Sequence, residues 1–145
     1  MNRITKHITT AISLEIVLGF LMFLFFHNLL LGVYENAFDV IIWLWFPILI
    51  GIISMYAIGW YLGKQLPENY SYKIYHGIII LFAILIIAVL VGSFIFALMP
   101  NNDMDSIADV FLVLLVFLIF GGLPTLLVGI WLGNKLSKKL NSHKK

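Results

Sequence analysis

The chain has 145 residues, 62% of them hydrophobic and only 11% charged, with a mean hydropathy of +1.05. A water-soluble domain carries about 25% charged residues, so the composition excludes one. A net charge of +2 and a short basic tail give no footprint for nucleic acid, and the absence of cysteine excludes disulfides, thiolate metal ligands and cysteine catalysis.

Four apolar runs fill the sequence: Ile8–Val33, Val40–Leu62, Ile74–Met99 and Val110–Leu132. A spanning helix needs about 20 apolar residues, and each run supplies them. The predicted fold is an all-α integral membrane bundle of four transmembrane helices over 8–33, 39–63, 74–99 and 109–134. The chain reads as one domain, 1–145, ending in a basic cytoplasmic tail over 135–145.

Met1–His7 reads as a polar lead, and the first helix is expected to begin near Ile8. It is too long for the apolar core of a signal peptide and reads as an uncleaved span. Glu15 is the one ionisable residue deep in an apolar run, with Ala11 and Gly19 one turn to either side. Intramembrane acids are costly and mark functional sites by default. The competing reading is a snorkelling residue or a structural hydrogen bond.

The second helix is expected to open on Asp39 as an N-cap and to bend at Pro47. Trp60 and Tyr61 mark its other end as an interfacial belt. The loop Lys64–Tyr72 holds the turn formers Pro67, Glu68 and Asn69. The third helix carries the small residues Ala88, Gly92, Ser93 and Ala97, and Pro100 to Asp103 ends it. The fourth is expected to start at Asp109 and to kink near Gly121, Gly122 and Pro124.

Two glycine ladders recur every four residues: Gly51, Gly59 and Gly63 in the second helix, and Gly121, Thr125, Gly129 and Gly133 in the fourth. Such spacing places small residues on one face and favours close helix packing in lipid. A shift of seventy residues lays one ladder on the other without a gap, with Asp39 on Asp109, Gly51 on Gly121, Gly59 on Gly129 and Gly63 on Gly133. The expected architecture is two duplicated helical hairpins in the same orientation.

All nine Lys and Arg lie before the first run, between the second and third, or after the fourth. Both termini are therefore expected in the cytoplasm of a bacterial-type inner (plasma) membrane, with outer loops at Tyr34–Phe38 and Asn101–Ala108. No phosphate loop, metal-ligand pattern or nucleophile elbow is present in the sequence, so neither an enzyme nor a cofactor or metal is expected.

At the depth of Glu15, the neighbouring helices offer Tyr56, Ser54 and Thr125 and no cation. The expected site is a protonated Glu15 that donates to one of these three. The segment Ala11-Ile12-Ser13-Leu14-Glu15-Ile16, followed by Gly19 and Met22, resembles the first helix of small multidrug resistance transporters. Those are four-helix proteins whose membrane glutamate exchanges protons for cationic drugs, and the resemblance implies that role for Glu15. The likeness covers Ala11–Met22, and the family's third-helix tryptophan has no counterpart in Ile74–Met99. The first functional expectation is a non-enzymatic membrane subunit that associates, within the lipid bilayer, with copies of itself or with a larger membrane partner. The alternative is a small transporter or ion pathway using Glu15.

Overall fold

The computed structural model of the chain describes residues 2–30, 41–42, 44–68, 70–98 and 107–137. They form four helices: α1 Arg3–Leu30, α2 Trp45–Gln65, α3 Ile74–Ala97 and α4 Ile107–Ser137. Each is long and apolar enough to cross a membrane. Consecutive helices pack side by side and α4 returns to α1, so the order round the bundle is α1, α2, α3, α4. The closest pairing is α3 with α4.

Several helix ends differ from those expected of hydropathy alone. The helix α1 begins at Arg3, not Ile8, because Asn2 Oδ1 accepts the Ile4 N–H at 2.9 Å and caps the first turn. A helix of 28 residues rises roughly 42 Å, more than the ~30 Å hydrocarbon core, so its first turn can lie in the interface. That turn is packed: Ile4 and Thr5 are buried.

The helix α2 begins at Trp45, not Asp39, after a turn at Leu44. Pro47 falls in its first turn, where a missing N–H costs nothing, but its ring would crowd the carbonyl of residue 43 in a continuous helix. The break therefore sits just ahead of Pro47. Asp39 lies outside the described residues, as do both expected outer loops except for Ile107 and Ala108, and residues 138–145 of the tail. Asp109 lies inside α4, which starts two residues earlier at Ile107, so it does not occupy the cap position. The helix then runs unbroken through Pro124 to Ser137.

At the head of α3, Lys73 N–H donates to His76 Nδ1 at 2.9 Å. Tyr72 is buried beside it and donates its hydroxyl to the Pro67 carbonyl at 2.9 Å. The α2–α3 connection is thus tied into the bundle.

The start of α1, the end of α2, the start of α3 and the end of α4 gather at one end. It carries Arg3, Lys6, Lys64, Lys73 and Lys135 and is called the basic end below. Lys64 Nζ lies 3.5 Å from the Trp60 ring centre, and Lys135 Nζ lies 5.8 Å from that of Trp131. These are amphipathic pairs suited to a headgroup layer. The tightest core fills the half of the bundle toward this end, with Ile8, Ile12, Leu81, Ile84 and Leu132 fully buried.

Candidate functional site

The six ladder glycines divide among three seams instead of lining one. A step of four residues drifts about 40° round a helix of 3.6 residues per turn, so three steps carry a ladder through about 120°. On α2, Gly59 packs on Ile8 and Ile12 and Gly63 on Thr5, all of α1, whereas Gly51 faces the Ala88 carbonyl of α3. On α4, Gly121 meets Leu85, Gly129 meets Ile78 and Gly133 meets Ile74, all of α3. A Cβ at Gly63 would lie 2.7 Å from Thr5 Cα, and one at Gly129 would lie 2.8 Å from Ile78 Cα. Backbones therefore touch on both seams. Gly77 of α3 is a further contact of this kind, against Gly129 and Gly133, that the four-residue ladders do not reveal.

The remaining face of α4 carries Thr125 to α1. Its hydroxyl is in hydrogen-bond contact with Glu15 Oε1, and it also reaches the Gly121 carbonyl at 2.7 Å. Both residues are buried, Glu15 at 3% exposure and Thr125 at 0%. Glu15 Oε2 is buried with no hydrogen-bond partner. Of the three groups expected near Glu15, Thr125 is bonded to it. Tyr56 instead pairs its hydroxyl with Ser13 Oγ at 2.8 Å, and Ser13 in turn donates to the Thr9 carbonyl at 3.1 Å. Ser54, on α2, is half-buried and is not a partner of the free Glu15 oxygen. Ser13 gave no sequence signal, since a serine in an apolar helix usually bonds back to its own backbone.

From the Glu15–Thr125 pair the two directions along the seam differ. Toward the basic end the next layers are closed by Ala11, Ile12, Val128 and Leu132, all buried. Toward the opposite end lie Gly19, one turn on from Glu15, and Gly122, one turn on from Thr125. A Cβ built on either would find nothing within 4 Å. Beyond them Phe120 of α4 closes the seam again, with ring centres 6.1 Å from Phe23 and 5.9 Å from Phe26 of α1. Among the described residues no cluster of three or more His, Asp or Glu could hold a metal ion.

Fold and site together define a small polytopic helical membrane protein with one buried, half-satisfied carboxyl. The chain matches no protein-family model, no curated protein and no solved structure.

Proposed function

We propose that this protein handles a proton at Glu15 within the membrane, as a small transporter or ion pathway and not as an enzyme. The observation that carries the reading is the hydrogen-bond pattern. The Thr125 hydroxyl has one proton and faces two acceptors, Glu15 Oε1 and the Gly121 carbonyl. Both contacts are made at once when Glu15 is protonated: Glu15 then donates to Thr125 Oγ1, and Thr125 donates to Gly121. When Glu15 is ionised the hydroxyl must turn to it and leave Gly121. The pair thus has two arrangements separated by one proton. A purely structural acid would have both oxygens satisfied, because a buried unpaired oxygen costs about 1–3 kcal/mol, and Oε2 is unpaired.

Helix association with a second copy or a larger partner is the second reading. It is favoured by the open space at Gly19 and Gly122, which a side chain from another helix could fill. The close-contact glycines Gly59, Gly63, Gly129 and Gly133 favour it less, because they already pack within the chain.

Infrared titration of the purified protein in lipid tests the first reading, with Glu15→Gln as the blank. The expected result is a protonated-carboxyl band at neutral pH that is absent from Glu15→Gln and that shifts when Thr125 is replaced by valine. A carboxylate band persisting at mildly acidic pH would mean a solvated acid and defeat the proposal.

A further inference from the structure

We infer that the α1–α4 seam beyond Glu15 is a water-filled chamber that delivers protons to Glu15 from the end opposite the lysines. This rests on the reading of Glu15 as a proton-handling group.

Three observations carry it. The first is the space. Gly19 and Gly122 are at one level of two antiparallel neighbours, directly beyond Glu15 and Thr125, and neither has an atom near its missing Cβ. The second is the polar lining. Glu15 Oε2 is buried and unpartnered at the chamber's closed end, and the buried Ser93 hydroxyl of α3 has no partner either. Ser93 lies five residues beyond Ala88, which faces Gly51 on this level, and hence about 7.5 Å further toward the opposite end. A buried water needs two to four polar partners, so one water at Oε2 must bond to others, and a chain of them requires an opening. The tight core closes the basic side. The seam on the other side is closed by rings of Phe23, Phe26 and Phe120 and not by backbone contact.

The third observation is a comparison internal to the chain. The seventy-residue shift sets α1 on α3 and α4 on α2, so the α1–α4 seam has a counterpart in the α2–α3 seam. There Leu85 stands for Glu15, Val89 for Gly19, Ile52 for Gly122 and Met55 for Thr125. Every small or polar residue of the chamber has a large apolar counterpart. Packing alone would treat the two seams alike, and this pattern opens one of them.

The chemistry favours a proton over a bare metal cation as cargo. Hard cations take about six or more oxygens, whereas the seam offers a carboxyl and two hydroxyls, its backbone carbonyls being engaged in helix bonds. In the transfer, a hydronium at the chamber's closed end gives its proton to the Glu15 carboxylate. An O–H bond forms at Oε2, one breaks in the hydronium, and water is left. A half-turn of the carboxyl then presents the new O–H to Thr125, and the reverse sequence releases it.

The chain has no cysteine of its own, so single cysteines report cleanly. They are placed at Gly19, Gly122, Ile12 and Leu21 in the full chain reconstituted in lipid bilayers, and a small charged methanethiosulfonate is added. Labelling is expected at Gly19 and Gly122. None is expected at Ile12 in the closed core or at Leu21, an exposed lipid-facing position. Loss of labelling at either glycine position, or equal labelling at all four, overturns the chamber. A measurement on the unaltered protein guards against misfolded variants: the Glu15 carboxyl band should shift promptly in heavy water. The variant Gly19→Val with Gly122→Ile, which copies the counterpart seam, should abolish that prompt shift while leaving helix content unchanged. A prompt shift in that filled variant would also overturn the chamber. If Gly19 labels while Glu15 shows no protonated band, the chamber stands and the proposed function fails. If the band is present and Gly19 is silent, the reverse holds.

Discussion

Tyr72 shows how a single side chain outside the spans ties the bundle to its loop. Burial pushes its phenol above the ordinary value of 10.0, and the neighbouring Tyr70 pushes it in the same direction. The sign follows from linkage: a neutral form favoured by folding contributes fully below about pH 10 and is lost as pH rises through the folded value. Deprotonation would also remove the donor to the Pro67 carbonyl. Thermal unfolding in detergent should therefore fall steeply above about pH 10 in the native protein. Tyr72→Phe should be less stable by about 1 kcal/mol at neutral pH, for the lost hydrogen bond, with a shallower alkaline fall. Equal alkaline slopes would assign the effect to other groups. At this scale the sequence was partly legible. Glu15 and Thr125 stand out as polar residues in apolar runs, but the choice among Thr125, Tyr56 and Ser54 depends on helix rotation, which hydropathy does not encode. Ser13 takes Tyr56, and that leaves Thr125 on Glu15.

Among the helices, glycines of identical composition have opposite roles, and substitution should separate them. A Cβ at Gly133 would collide with the carbonyl of Ile74 and lie 2.7 Å from its Cα, all backbone, so no rotamer change relieves it. Gly51 would meet only the Ala88 carbonyl at an ordinary 3.7 Å. Gly133→Ala should therefore destabilise the α3–α4 pair by about 1–3 kcal/mol or more through overpacking. Gly51→Ala should be neutral or stabilising by up to about 1 kcal/mol, the helix-propensity gain. Thermal scans of both variants in one detergent check this, and matched losses would show that the seams do not differ. The number and class of elements could be read from the four apolar runs, because a spanning helix has to be that long and that greasy. Their ends could not. The Asn2 cap extends α1 into what reads as a polar lead, and Pro47 sets the start of α2 at Trp45. Both are local hydrogen-bond effects that an average over twenty residues hides.

Across the whole molecule the two hairpins meet their partners in the same register: Gly59 on Ile8 and Gly129 on Ile78 are seventy residues apart on both sides of the contact. The correspondence weakens at the last crossing, where Gly63 meets Thr5 and Gly133 meets Ile74. The same pairing brings both ends of the chain and the α2–α3 connection to the basic end. The cations Arg3, Lys6, Lys64, Lys73 and Lys135 lie there, and Lys138, Lys139, Lys144 and Lys145 follow in sequence. The segments joining α1 to α2 and α3 to α4 contain neither lysine nor arginine. Basic residues in short loops stay on the cytoplasmic side, and each gains about 1 kcal/mol from an anionic leaflet near the surface. The lysines stacked over Trp60 and Trp131 would further hold this end in the headgroup layer. The basic end should therefore face the cytoplasm, and the inferred chamber should open away from it. Single cysteines at Gln65 and at Asn102 test the orientation in intact cells with an impermeant thiol reagent. Labelling is expected at Asn102 and at Gln65 only after the cells are opened. The reverse pattern would place the lysines outside and turn the chamber toward the cytoplasm. Labelling of both in intact cells would mean insertion in two orientations, which the one-sided charge should prevent.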